Sequence, residues 1–260
     1  MCIRDRSCIK VLSSLSVKRS YFNRWCILKH IIASIRFNFH YLPFRQAIHL
    51  PFVFMAPVRF YSKGGKVMIT GPIRHAMISL GLPGNDVFDR QEPFIWNVEG
   101  GVCHFQGSCA INPGSSITLR KGAYLSFGER VSMGQHTKII CYKKIVIGHQ
   151  SLISWDCTLM DSDAHPFYDL EQQRLISNSE SIVIGCRTFI GQRSTILKGA
   201  FLPNYSSLAS NSLLNKKMVD QFALYGGIPA RLVKKNIARI INERDIQEGI
   251  KILQQNYNNK

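Results

Sequence analysis

The chain predicts a mainly β protein built as a three-sided coil of short strands, and three observations carry that prediction. Ile184, Ile190, Ile196, Leu202 and Leu208 stand six apart. The same cadence runs through Phe127, Met133 and Ile139 and restarts through Ile147, Ile153 and Leu159. Small residues (Gly185, Gly191, Ser194, Ala200, Ser206) lie between the aliphatic ones. A period of six fits neither a helix, at about 3.6 residues, nor a lone strand, at about 2. It suits a triangular prism in which each side turns one aliphatic group inward and then bends at a corner, neighbouring coils burying each other's apolar face. From Ile139 to Ile147 the step is eight, so two extra residues are expected to swell one corner near residues 143–144.

Before the coil, residues 18–58 interleave Tyr21, Phe22, Trp25, Phe37, Phe39, Tyr41, Phe44 and Phe52 with Arg and Lys. They read as one or two short amphipathic helices, interrupted at Pro43 and Pro51 because proline cannot continue a helix interior. Such helices have two uses. They lie among lipid headgroups, which suit aromatic and basic side chains, or they cap the open end of the coil, where backbone groups are unpaired. A strand is expected at 66–70, after Gly64 and Gly65. The cadence then stays irregular to residue 105, with a loop at Pro83, Gly84 and Asn85. Short glycine-punctuated strands follow at 96–101, 111–114, 117–119 and 124–128. After Leu208 the pattern fades, residues 226–231 form a turn, and a final helix is expected over 236–255, with Ile237, Ile241, Ile246, Ile250 and Leu253 on one face. The expected organisation is a basic aromatic extension (1–63), the coil (64–215, with a loop at 160–181) and a C-terminal turn and helix (216–260). The opening MCIRDR resembles a translated sequencing adapter and is read as non-native.

Within 260 residues there is room for one elongated domain with terminal additions, and 45% hydrophobic content argues against a wholly disordered chain. The net charge is +17. Before residue 67, twelve Lys and Arg face only Asp5, which gives 12 − 1 = +11 in that segment alone. A basic front end serves nucleic acid, an anionic membrane surface or plain solubility; no nucleic-acid motif accompanies it. The eight cysteines show neither a CxxC pair nor a disulfide-framework spacing, so they read as reduced thiols of a cytosolic protein. No apolar run reaches the roughly 18 residues of a membrane span, and no secretory signal is apparent.

The coil is interrupted at 160–181 by MDSDAHPFYDLEQQRLISNSES, which places Asp161, Asp163, His165 and Asp169 within nine residues. A histidine beside carboxylates is a candidate general base, because an Asp can fix its tautomer and stabilise the imidazolium. Pro166 restricts the backbone of His165 to extended forms.

Taken in order, the hexads, the Ala-His-Pro of residues 164–166, the further hexads and the GIPARLVK of residues 227–234 resemble the hexapeptide-repeat acyltransferases. Within that superfamily they resemble the galactoside, maltose and polysaccharide O-acetyltransferase branch. The resemblance is strongest over residues 127–235. It implies a left-handed parallel β-helix that assembles as a homotrimer, with active sites between subunits and acetyl-CoA as acyl donor. His165 would take the proton of an acceptor hydroxyl, with backbone N–H groups facing the oxyanion; Asp161 and Asp163 are the candidate carboxylates that the loop itself offers beside it. No acyl-enzyme is implied, so the cysteines are not candidate nucleophiles. Positions contacting CoA fall on Gln192, Ser210, Asn215, Lys216, Arg231 and Lys234, and His136 falls where the galactoside branch carries Asn near the acetyl group. Cations at 216, 231 and 234 suit phosphates. The chain departs from the branch at Asn215-Lys216-Lys217-Met218, where a Thr-Lys-Asp-Val/Ile stretch is usual. Its basic aromatic front end looks more like the polysaccharide-modifying members.

The function implied is acetyl transfer to a sugar hydroxyl of a cell-envelope polysaccharide or its precursor. The enzyme would work in the cytoplasm, or peripherally at the inner face of the membrane through residues 18–60, with no metal and no nucleic-acid partner expected. Two alternatives stand beside it: a non-enzymatic scaffold or binding module, and a zinc enzyme of the carbonic-anhydrase kind. The latter needs three converging histidines, drawn from His104, His136, His149 and His165.

Overall fold

The structure, a computed structural model, describes residues 24–82, 92–241 and 246–259. The adapter-like residues 1–6, residues 18–23, the loop at Pro83, Gly84 and Asn85, and residues 242–245 of the expected final helix lie outside the described residues. Successive strands fall in turn on three sheets of nine, seven and six strands, parallel except for the last strand of the first, and these are the faces of a prism. One turn of the coil reads Val131–Met133, Lys138–Cys141, Lys144–Ile147, and the next begins directly above it at Leu152–Ile153.

Every hexad residue lies inside the prism: Phe127, Met133, Ile139, Ile147, Ile153, Leu159, Ile184, Ile190, Ile196, Leu202 and Leu208 are all buried. Each contributes roughly 1.5–3 kcal/mol by leaving water. The coils shorten along the chain. Ala110 pairs with Ser132 (22 residues on), Ser132 with Leu152 (20 on) and Phe189 with Ser207 (18 on). An 18-residue turn is three hexads, which is why the six-residue cadence is clean only at the C-terminal end. The longer early turns place two groups per side inward and fill the wider prism with Phe94, Trp96, Phe105 and Phe127. Phe105 and Phe127 stack at 5.0 Å between centroids.

Coiling begins at Phe52, ahead of the expected boundary at residue 64. Phe52–Phe54 pairs with Ile78–Leu80, and Val58–Lys63 pairs with Phe94–Val98. Proline explains the early start: helix α1 (Arg24–Tyr41) ends before Pro43, α2 (Phe44–Ala47) ends before Pro51, and the extended chain beyond Pro51 is free to pair. The inner side of α1 seals the prism. Phe37 packs on Phe52, Phe54 and Trp96. The Asn38 amide satisfies both backbone groups of Phe52, donating to its carbonyl at 2.8 Å and accepting from its N–H at 3.1 Å. Ser34 Oγ accepts from the Phe54 N–H at 2.9 Å.

At the other end the nine-stranded sheet continues through Ala223–Gly226 and closes with the antiparallel strand Arg231–Lys235. The coil thus runs past the expected limit at residue 215. The final helix, α3, spans Ile246–Asn258 rather than starting at 236. Asn236 has φ of 58°, which breaks a helix, and the Ile237 N–H bonds the Phe222 carbonyl instead.

Candidate active site

One corner of the prism, at the end of each strand of the nine-stranded sheet, repeats a two-residue step. Pairing of Ala110 with Ser132, Ser132 with Leu152, Leu152 with Phe189 and Phe189 with Ser207 stacks Pro113, Gln135, Trp155, Gln192 and Ser210 in one column. The next residues, His136, Asp156, Arg193 and Asn211, all have φ between 54° and 56° and form a second column. Each N–H of the second column bonds a carbonyl of the first, one turn below: His136 to Pro113, Asp156 to Gln135, Arg193 to Trp155 and Asn211 to Gln192. Left-handed backbone at non-glycine residues is unfavourable alone and persists here because the ladder fixes it. The corner also demands small residues. A Cβ on Gly191 would lie 2.5 Å from the Ser210 nitrogen, and one on Gly134 would lie 2.6 Å from the Trp155 nitrogen.

Beside this corner runs an open groove of about 490 Å³. Gln135, Trp155, Gln192 and Ser210 line one wall, and Leu152 and Phe189 form part of its floor. The structure therefore brings Gln192 and Ser210 together, and adds Gln135, Trp155 and Phe189, which the sequence reading did not single out. His136 is not among the lining residues. Its Nδ1 faces Asp156 Oδ1 at 3.2 Å and its Nε2 faces Glu92 Oε2, so both edges of the ring are engaged by carboxylates. Asp156 is shared with Arg193, whose Nε lies 3.9 Å from Oδ2.

His165 lies at a different corner. Its loop leaves the prism after Thr158–Met160, on the seven-stranded sheet, and returns at Ile182–Ile184, on the six-stranded one. The loop is an antiparallel excursion, with Ser162 bridging Ser179 at its base and Phe167–Asp169 paired with Arg174–Ile176 at its tip. Lys198 staples its two legs, pairing with Asp163 and donating to the Ser177 carbonyl at 2.9 Å. Asp169 Oδ1 accepts from the N–H groups of Glu171 and Gln172 and shapes the tip. His165 sits exposed between base and tip.

The carboxylates expected beside His165 are used elsewhere. Asp161 is fully buried and accepts the N–H groups of Tyr142, Lys143 and Lys144 at 2.6, 2.9 and 2.7 Å. It thereby closes the swollen corner that the eight-residue step foretells. Asp163 pairs with Lys198. Neither forms a hydrogen bond or ion pair with His165 within this chain; backbone amides hold the one and an ammonium the other.

Asn215, Lys216, Arg231 and Lys234 are exposed and none lines the groove. Arg231 and Lys234 lie on the terminal strand of the sheet whose outer face forms it, opposite Gly226 and Leu224. The cysteines Cys103, Cys109, Cys141 and Cys157 are buried, and burial pushes their thiols up, Cys157 to about 11, which leaves them poor nucleophiles. Among the described residues, no three His, Cys, Asp or Glu side chains converge as a metal site.

No family model matches the chain. It is 29% identical over 122 residues to the polysialic acid O-acetyltransferase of Escherichia coli O1:K1, across 46% of this chain and 39% of that protein. It is 31% identical over 127 residues to the polysialic acid O-acetyltransferase of Neisseria meningitidis, across 48% and 59%. Less than two thirds of the length of either relative is thus spanned. A putative lipopolysaccharide O-acetyl transferase of E. coli K12, WbbJ, is 24% identical across 51% of this chain and 76% of its own. In structure, the polysialic-acid-specific acetyltransferase NeuO superposes with a TM-score of 0.60 at 20% identity, covering 80% of this chain and 87% of its own. The hexads, the three-sided stack and the superposition on NeuO give the chain the left-handed parallel β-helix fold, and in sequence it is similar to O-acetyltransferases.

Proposed function

We propose that the protein is an acetyl-CoA-dependent O-acetyltransferase acting on a hydroxyl of an envelope polysaccharide or its precursor, and that it works as a homotrimer. The observation that carries this reading is the division of the candidate residues between two corners. The imidazole projects from one corner and the groove runs along another, so one chain cannot bring them together. A neighbour packed about a threefold axis can. The loop carries what such packing needs, with Phe167, Tyr168, Leu170, Leu175 and Ile176 all exposed on it. Contact with a neighbour would also supply the partner for His165 that its own chain withholds.

In this mechanism the groove holds the pantetheine arm along Gln135, Trp155, Gln192 and Ser210, and Lys216, Arg231 and Lys234 meet the phosphates. His165 accepts the proton of the sugar hydroxyl as its oxygen bonds the acetyl carbon. The C–S bond then breaks, and the CoA thiolate takes that proton back from the imidazolium. No acyl-enzyme forms. An acidic glycan is the proposed acceptor class, supported by the net charge of +17 and by the polysialic acid named for two of the relatives.

The test is acetyl-CoA turnover, read as free thiol, with de-O-acetylated polysialic acid or a neutral glycan as acceptor. CoA alone at about a hundredfold its Kd should stabilise the fold by about 2.7 kcal/mol. A protein that gains no thermal stability with CoA and releases no thiol with either glycan would instead be a scaffold.

A further inference from the structure

The end of the prism covered by α1 carries a surface that capping does not explain. Caps of stacked-coil proteins keep a polar outer face to remain soluble. Ser34, Phe37, Asn38 and Tyr41 recur on the inner side of α1, at the spacing of one helical face. Ile31, Ile32, Ile35 and Phe39 recur on the other side and are 40 to 48% exposed. Phe44 and Ile48 extend this patch, with the Phe39 and Phe44 rings 6.1 Å apart.

Alongside, between α1 and the strand Val58–Lys63, lies a groove of about 360 Å³. Ile32, Phe37, Val58 and Phe60 give it an apolar lining, and Arg36 and Lys63 bring cations to it. Lys63 Nζ stands 5.6 Å over the Phe60 ring, and the Lys63 carbonyl is held at 3.0 Å by His40 Nε2. Neither Arg36 nor Lys63 forms an ion pair among the described residues.

Charge decides what this face meets. From Arg6 to Asn85 the sequence contains no Asp or Glu. A second copy of the same cap would oppose cation to cation, whereas an anionic lipid surface complements both the cations and the apolar patch. No described helix is long and apolar enough to cross a membrane. A helix with an apolar stripe bordered by cations lies in the interfacial plane.

We propose that this end of the molecule docks on an anionic phospholipid bilayer. Ile31, Ile35, Phe39 and Phe44 enter the headgroup layer, while Arg36 and Lys63 bind lipid phosphates at the groove. The docking stands on its own geometry and requires no acetyl transfer.

Flotation of the full chain tests it, using phosphatidylcholine vesicles with and without phosphatidylglycerol. Wild type floats with the anionic vesicles and is released by salt. Ile35→Ser/Phe39→Ser and Arg36→Glu/Lys63→Glu, each with unchanged circular dichroism, lose at least about tenfold in partitioning, since each cation near an anionic surface is worth on the order of fivefold. Equal flotation of wild type and both variants overturns the proposal. So does a wild type that stays down but has twice the mass of Ile35→Ser/Phe39→Ser, which assigns the face to a second copy. Flotation gained only on removing residues 1–23 assigns it to the chain's own amino terminus and likewise overturns it. Because no substrate enters the assay, its failure leaves the acetyltransferase reading untouched.

Discussion

His165→Ala is expected to lower acetyl transfer by roughly 10²–10⁴-fold, the usual cost of losing a general base, while fold and CoA binding persist. The side chain is exposed, so its removal leaves no buried cavity. The loop keeps its shape through Asp163, Ser177 and Lys198, none of which needs the imidazole. The loss should fall on kcat with little change in the KM for acetyl-CoA, because the groove residues lie at another corner. Thiol-release kinetics across acetyl-CoA concentrations read this split directly. A rise in KM with kcat preserved would move His165 from proton transfer to donor binding.

Asp161→Ala is expected to destabilise the fold by roughly 2–4 kcal/mol, measured by urea denaturation. The wild-type carboxylate accepts three consecutive backbone N–H groups and faces the Cys141 thiol at 3.5 Å. Alanine leaves those donors unmatched, at about 1–3 kcal/mol for each one fully buried. The outer side of the corner meets water, since Lys143 and Lys144 are exposed, which holds the total below the simple sum. Asp161→Asn keeps the shape and one acceptor oxygen and should cost about half as much. Turnover per folded molecule should survive in Asp161→Asn if the residue only closes a corner. A catalytic carboxylate would instead show a large kcat loss in a fully folded protein.

The fold was legible in the sequence in some places and hidden in others. The stack from Phe127 onward was legible because an 18-residue turn repeats one aliphatic residue per six. The swollen corner near residues 143–144 was legible as an eight-residue step. The earlier coils showed only as short glycine-punctuated strands, because turns of 22 residues and more place two inward groups on a side and blur the period. Asp161 looked like a partner for His165 on proximity in sequence, but a buried carboxylate beside free amides is captured by the amides first. The Trp155 and Gln192 column was hidden by the loop, which lengthens the step between them to 37 residues. Subtracting the 18 residues of a regular turn leaves 19 that belong to the excursion, and the column reappears. Glu92 and Lys198 carried no local pattern at all; only the folded corners bring them to His136 and Asp163.

The central claim is that one subunit's loop imidazole serves its neighbour's groove, and mixed trimers test it most directly. His165→Ala removes the imidazole, and Ser210→Trp fills the groove at its exposed edge. Each variant alone should be nearly inactive. Trimers refolded from an equal mixture should recover about a quarter of wild-type activity, because in a closed threefold ring about one interface in four pairs an intact loop with an intact groove. No recovery in mixed trimers, or a wild-type protein that turns over as a monomer, would contradict the account.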